Sequence, residues 1–189
     1  AAATCTPLAQ PGVASKAVTV TGDFDKKPTV KFTPGLTATE TQSQDAIAGT
    51  GAVVLPGNVA TVDASIYDGK TGQLIQATQY DGVNRASLPV DVAKMGGISK
   101  AIQCHKVGSR VVSVIGNDET LASTLGLTKN DTVVIVFDIT GTSVTKADGA
   151  PQVVEDGLPQ VVLGADGTPG ITIPSTAAPT KLKVAVLKK

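Results

Sequence analysis

The sequence predicts an α+β fold, and three features carry that prediction. Residues 111–115 and 132–139 are runs of β-branched and aromatic side chains, which are typical of buried strands. Within residues 97–104, Ile98 and Ile102 lie four positions apart, so they share one face of a short helix. Aromatic residues make up only 3% of the chain and Trp is absent, so small β-branched side chains must build the core.

Length, charge and hydropathy limit the kinds of function that the chain can have. Its 189 residues suffice for one ordinary domain, or for one domain with appendages. Sixteen acidic residues balance sixteen basic ones, so no positive field attracts a nucleic acid. No stretch approaches the roughly 18 consecutive apolar residues that would span a bilayer. We expect a monomer with no nucleic-acid partner and no membrane span.

Residues 1–40 are predicted to form a β-rich arm. Residues 17–21 and 29–32 alternate apolar and polar side chains, as half-buried strands do. The Gly-Asp-Phe-Asp run at 22–25 is the turn between them, and a Pro-Gly pair closes the arm. We expect such an arm to pack along an edge of the main sheet, because open edge strands promote aggregation.

Residues 41–142 contain the main series of strands and turns. A Pro-Gly-Asn turn precedes a strand that starts at Val59, and an Asp-Gly-Lys hairpin turn follows at 68–70. The helix predicted at 97–104 then leads through a Val-Gly turn into the two buried strands.

In this order the elements resemble the FKBP family of peptidyl-prolyl isomerases. In that family a Gly-Asp-x-Val-x-Val strand and an Asp-Gly-Lys hairpin precede a short helix, a Val-Gly turn and a last strand that closes the sheet. The resemblance implies a curved antiparallel sheet wrapped around one short helix. It also implies that proline-containing polypeptide segments are the partners and that no cofactor is needed.

The resemblance further places a binding pocket. The family's proline site is an apolar pocket lined by aromatic rings, with an indole as its floor and no nucleophile. Ile98 stands in place of the indole, Ile75 and Gln76 in place of a Phe-Asp pair, and Ile135 in place of a Phe. The pocket candidates are Tyr67, Ile75, Gln76, Met95, Ile98, Ile115 and Ile135. We expect a degenerate isomerase with weak or no activity and no catalytic residue; the alternative is a structural or adhesive β-module of a cell-envelope protein.

Two cysteines, Cys5 and Cys104, bear on where the protein acts. The Ala/Thr/Pro-rich start looks like the end left after a signal peptide is removed, which predicts an exported protein, secreted or attached to the cell envelope. An even cysteine count in such a protein suggests a disulfide. Two free thiols, or a lipid attached to Cys5, remain alternatives.

Other chemistry has little support in the sequence. His105 is the only histidine, so a Ser-His-Asp triad or a histidine metal site would depend on that one residue. No Gly-x-Ser-x-Gly motif occurs, and two distant cysteines are too few for a zinc site. We expect no metal site, and we expect His105 to be half-exposed at the end of the helix.

An internal repeat follows the main series of elements. Residues 163–174 parallel residues 21–32, since in both a Gly/Asp turn leads through a Pro into an alternating strand, and residues 181–187 sit where 36–42 sit. We interpret residues 143–189 as a linker and β-arm that lead to a second FKBP-like domain outside this sequence. The alternative is a C-terminal hairpin of the same domain.

Overall fold

The structure, a computed structural model, describes residues 5–145, 147, 149–164 and 168–189. The chain divides into two compact units, Ala1–Thr145 and Lys146–Lys189. The regular secondary structure of the described residues is mostly strand, with a few short helices, in agreement with the predicted α+β class.

The first unit contains eight strands and three helices among its described residues. The strands are β1 Thr19–Thr21, β2 Thr29–Lys31, β3 Gln42–Ile47, β4 Asn58–Asp68, β5 Leu74–Ala77, β6 Ala86–Pro89, β7 Arg110–Ile115 and β8 Val133–Val144. The helices are α1 Val13–Lys16, α2 Val92–Ile102 and α3 Glu119–Thr124.

One antiparallel sheet organises this unit. Its strands run in the order β3-β7-β8-β4, and both β5 and β6 pair with β4. The long strands β4 and β8 pair along their whole lengths, from Asn58 opposite Val144 to Asp68 opposite Val133. The predicted Val-rich runs therefore lie at the centre of the sheet. Both of their faces are covered there, so apolar residues can follow one another without polar residues between them.

Helix α2 covers one face of the sheet. Its Ala101 and Ile102 are fully buried against apolar side chains of β4, β7 and β8. Gly97 lets the helix approach β7 closely, because a Cβ at position 97 would overlap the side chain of Ile115 on that strand. The helix and this face together form the main apolar core.

The predicted helix at 97–104 differs from the observed one. The helix begins earlier, at Val92, where the side chain of Asp91 accepts a hydrogen bond from the Ala93 N–H at 3.0 Å and caps the first turn. It breaks at Gly96, whose φ of +49° lies outside helical geometry, and ends at Ile102. The prediction missed the first turn because two glycines interrupt the periodic pattern.

The N-terminal arm covers the opposite face of the sheet, so the prediction that it packs along an edge was wrong for the hairpin β1–β2. Val20, Val30 and Phe32 of the arm pack against Val112, Val114 and Val134 of β7 and β8. The physical reason is that side chains along β7 and β8 alternate between the two faces and are apolar on both. The second face must therefore also be shielded from water.

A disulfide joins the arm to the helix. Cys5 and Cys104 are bonded, with an S–S distance of 2.02 Å and a sequence separation of 99. Beside the bond, the side chain of Gln103 donates to the Thr6 carbonyl at 3.2 Å. Closing a loop of about 100 residues restricts the unfolded chain by up to about 4–5 kcal/mol in the chain-entropy model.

Among its described residues, the second unit contains one hairpin, β9 Gln160–Leu163 with β10 Pro169–Thr172. Residues 150–152 also pair with residues 187–189 through backbone hydrogen bonds. Many of its large apolar side chains are exposed, including Ile173 and Leu182. None of the helices in the described residues of either unit is both long and apolar enough to cross a membrane.

Candidate functional site

A cavity of about 200 Å³ lies between α2 and the sheet. We call it the α2 cavity. Its walls come from α2, β4, β5, β6 and β8, and from the residue that follows β5. The lining residues are Val62, Ala64, Ile66, Gln76, Ala77, Thr78, Ala86, Leu88, Ile98, Ile135 and Phe137.

Strand alternation explains why these side chains meet. On β4, every second residue from Val62 to Ile66 points to the helix side. The register of β4 with β8 sets Ala64 opposite Phe137 and Ile66 opposite Ile135, so the two strands share one apolar wall.

Three of the seven predicted pocket residues line the α2 cavity: Gln76, Ile98 and Ile135. Ile98 is partly buried and packs against the main core, whereas Gln76 is exposed and stands at the rim. These are positions where the family resemblance placed the floor and two wall residues.

The structure places the other four predicted residues elsewhere. Ile115 is fully buried in the core under Gly97, and Met95 is partly buried outside the lining. Ile75 is 36% exposed on β5. Tyr67 packs on the opposite face of the sheet, edge-on to Phe32 with ring centroids 6.3 Å apart.

Sequence reasoning missed several lining residues, above all Phe137 and Ile66. The two-residue alternation could have found them, because Phe137 follows Ile135 by two positions on the same strand. The resemblance drew attention instead to positions where the family carries aromatic rings.

The lining determines which chemistry the cavity can perform. Nine of the eleven lining side chains are apolar, and none of those in this described wall is ionisable. Across the described residues, no three His, Cys, Asp or Glu side chains are grouped to hold a metal ion. The site can therefore bind an apolar group, and Thr78 carries the one hydroxyl in this described lining.

A chain of polar contacts supports the wall from behind. The Thr78 hydroxyl donates to Asp63 Oδ1 at 2.6 Å, and Arg85 Nε donates to Asp63 Oδ2 at 3.1 Å. Arg85 also contacts Asp25 of the N-terminal arm at 2.6 Å. Asp63 is fully buried on β4, so these bonds hold the segment between β5 and β6 against β4.

A second network of side-chain contacts joins a Ser, a His and an Asp in the order of a catalytic triad. His105 Nδ1 lies 2.8 Å from Asp45 Oδ1, and His105 Nε2 lies 3.2 Å from Ser43 Oγ. The side chain of His105 is only 14% exposed, so it is more buried than predicted. Ser43 is itself 2% exposed, which leaves no path for a substrate carbonyl. These contacts hold β3 against the segment that follows α2.

Hydrogen bonding sets the acidity of Asp45. Burial pushes the pKa of Asp45 upward, but the hydrogen bond and charge of His105, with smaller effects of Ser109 and Lys106, outweigh burial and leave that pKa below its ordinary value.

Neither a sequence-family profile nor the sequence of a characterised protein matches this chain. Several solved structures are similar to it in fold. A peptidyl-prolyl cis-trans isomerase from Pseudomonas syringae pv. tomato is 15% identical, with a TM-score of 0.44 over 55% of this chain and 75% of that protein. FkpA from Escherichia coli is 17% identical, with a TM-score of 0.44 over 56% of this chain and 48% of FkpA.

A multi-domain immunophilin from Arabidopsis thaliana is 12% identical, with a TM-score of 0.48 over 57% of this chain and 44% of that protein. The aligned part thus spans less than half of FkpA and of the immunophilin. At such identities no residue role passes from these proteins to this chain.

Proposed function

We propose that residues 41–142 form an FKBP-like domain that binds polypeptide segments by holding one proline ring in the α2 cavity. The observation that carries the proposal is the cavity, with nine apolar lining residues and Ile98 of the helix in its wall. The order of elements from β3 to β8, with a short helix before the last two strands, supports the family assignment.

The size of the cavity suits a single small ring. Its volume is about 200 Å³. An engineered apolar cavity of about 150 Å³ in another protein binds benzene, so a five-membered ring has room here. Pockets for drug-sized ligands measure about 300–1,000 Å³. The site therefore favours one proline of an extended segment over a large ligand.

Isomerase activity is expected to be weak or absent. Rotation about a prolyl bond faces a barrier of about 20 kcal/mol, and a site lowers it by binding the twisted amide better than the planar one. Aromatic rings offer a prolyl ring large, rigid apolar contact surfaces. Phe137 is the one aromatic ring in this described lining, so the cavity has few such surfaces with which to favour the twisted amide.

We also propose that binding serves to fold or hold exported proteins. The Cys5–Cys104 disulfide supports this, because disulfides form and persist in oxidising compartments.

The test is a peptide titration of the full chain followed by NMR, with a prolyl-isomerisation assay on the same sample. We expect a short peptide with Leu before its Pro to shift the methyl signals of Ile98 and Ile135, with turnover far below that of an aromatic-lined isomerase. The same peptide with Ala in place of Pro should shift them much less.

Two variants on β6 provide the matched comparison. Ala86→Leu fills the cavity from its wall and should abolish the shifts, whereas Ser87→Leu adds the same group at the exposed neighbouring position and should leave them intact. Shifts that survive Ala86→Leu, or turnover at ordinary FKBP efficiency, would contradict the proposal.

A structural or adhesive β-module is the second candidate. The observation that favours it is the cavity volume, which lies below the usual range of ligand pockets. A folded sample that shows no methyl shifts with any proline peptide would select this candidate.

A further inference from the structure

The hairpins of the two units have the same register. Every pair in β9–β10 that corresponds to a pair in β1–β2 lies 141 residues later, since 160 − 19 and 172 − 31 both equal 141. The pairs are Thr19↔Lys31, Val20↔Val30 and Thr21↔Thr29 in the first unit, and Gln160↔Thr172, Val161↔Ile171 and Val162↔Gly170 in the second.

This register corrects the repeat predicted from sequence, because aligning 163–174 with 21–32 implies a spacing of 142 and aligning 181–187 with 36–42 implies a spacing of 145. The corrected spacing matches Pro169 with Pro28 and, in sequence, Asp166 with Asp25. It also matches residues 183–188 with β3, the edge strand of the main sheet. The repeat thus covers a hairpin and an edge strand.

Two of the three apolar positions of the first hairpin differ sharply in burial from their equivalents in the second, whereas Val20 and its equivalent Val161 are both partly buried. Val30 and Phe32 pack against the apolar cluster on the outer face of the sheet, where they are partly buried. Their counterparts Ile171 and Ile173 are 61% and 80% exposed. The second hairpin therefore presents the same apolar side without a sheet beneath it.

The edge strand shows the same difference. In the first unit β3 pairs with β7, and its Ser43 is 2% exposed. The counterpart of Ser43 is Val184, which is 84% exposed. Val186, two positions later, is 57% exposed, and its counterpart Asp45 is exposed as well. Apolar residues that alternate along a segment are typical of a strand with one buried face.

We infer that residues 160–188 are a docking segment for a second sheet of the same kind as that of the first unit. The hairpin β9–β10 covers the outer face of that sheet, as β1–β2 does in the first unit, and residues 183–188 pair with its counterpart of β7. The partner is a sheet that lacks its own hairpin and edge strand. The inference does not depend on the α2 cavity or on isomerase activity.

A graft within the full chain tests whether the second hairpin can cover such a face. In the graft, residues 19–32 are replaced by the sequence of residues 160–173, so that Ile171 and Ile173 stand at positions 30 and 32. The comparison protein carries the same graft with both of these Ile residues changed to Ser. Because the two Ile side chains bury against the sheet in the graft, it should melt at least about 5 °C above the comparison protein.

The same two substitutions at their own positions in the natural chain serve as the control. They should move the melting temperature by less than about 2 °C, because both side chains are exposed there. A graft that fails to fold, or that melts together with its serine version, would overturn the inference, and so would a large shift in the control.

An extended chain tests the edge strand and the partner. A copy of residues 49–145, with Ser at the position of Cys104, is joined after Lys189, which the spacing of 141 makes the counterpart of Ala48. We expect the amides of Val184 and Val186 to exchange at least about tenfold more slowly than in the natural chain. Unchanged exchange at these amides would overturn the inference.

Discussion

The two faces of the main sheet are covered in different ways. On the helix side, Ile135 and Phe137 of β8 point into an apolar core that retains the α2 cavity. On the hairpin side, Asp138 of the same strand forms a buried ion pair with Arg110 of β7. Neighbouring residues of one strand therefore face two environments that are stabilised by different physical effects.

The ion pair on the hairpin side is fully hydrogen-bonded. Arg110 Nε and Nη2 donate to the two oxygens of Asp138, each at 2.6 Å. Arg110 Nη1 donates to the Gly22 carbonyl at 2.7 Å, and Nη2 also lies within hydrogen-bond distance of the Asp23 and Lys26 carbonyls, at 2.9 and 2.6 Å. Such a group tolerates one geometry, since any displacement leaves a buried charge without a partner.

Helix α2 and the hairpin β1–β2, which cover the two faces of the sheet, differ in how well their contacts tolerate substitutions. Apolar contacts are non-directional, so the helix side accepts a void and many side-chain shapes. The charged contacts on the hairpin side are directional, so they fix where the turn at 22–26 lies. The helix side is therefore suited to binding, and the hairpin side to holding the arm.

The largest effect is expected from Asp138→Asn. The change leaves Arg110 buried with no counter-charge, and removing one partner of a buried pair costs about 3–5 kcal/mol. Urea unfolding followed by circular dichroism measures the loss. The double change Arg110→Met and Asp138→Leu is the control, and it should cost less than the single change. A loss below about 1 kcal/mol for Asp138→Asn would contradict the contrast between the faces.

The next effect concerns the disulfide, which links the arm to the end of the helix. Changing both cysteines to Ser should lower the free energy of unfolding by about 2–4 kcal/mol, mainly because the unfolded chain regains freedom. Unfolding of the oxidised protein, the reduced protein and the double variant measures this. Equal stability of the oxidised and reduced forms would show that the link carries no such constraint.

A smaller effect is expected from Ile135→Val in the cavity wall. The change removes one methylene group and enlarges an existing void, which costs about 0.5–1.5 kcal/mol. Urea unfolding measures the loss, and the peptide titration shows whether the larger void still binds. A cost above about 3 kcal/mol would mean that the helix side is as intolerant of change as the ion pair.

The smallest effect lies at the edge of the sheet, where Asp45 contacts His105. Because the pKa of Asp45 is lowered in the folded state, its contribution to stability is present above its unfolded pKa of about 3.8 and is lost as the pH falls through the folded pKa. The natural chain should therefore be slightly more stable than Asp45→Asn at pH 5, and the difference should vanish toward pH 2. Parallel stability curves for the two proteins would contradict this.

Sequence reasoning predicted the strands and the helix side better than the hairpin side. Ile98 and Ile135 were placed near a binding pocket, and both line the α2 cavity. Tyr67 was placed there too, but β4 continues to Asp68 and its alternation turns Tyr67 to the opposite face. The error arose because the length of a strand, and hence the face of its last residues, depends on its partner strand.

Sequence patterns are sufficient to predict the order of strands, turns and the short helix, because these follow from periodicity and turn residues within a few positions of one another. Which face of the sheet the helix and the hairpin each cover, where the cavity lies and which charges pair are fixed only when the sheet forms. These depend on groups that are far apart in the chain: Arg110 meets Asp138 across 28 residues and the Gly22 carbonyl across 88. No local pattern specifies such partners, because burial and geometry select them when the sheet closes.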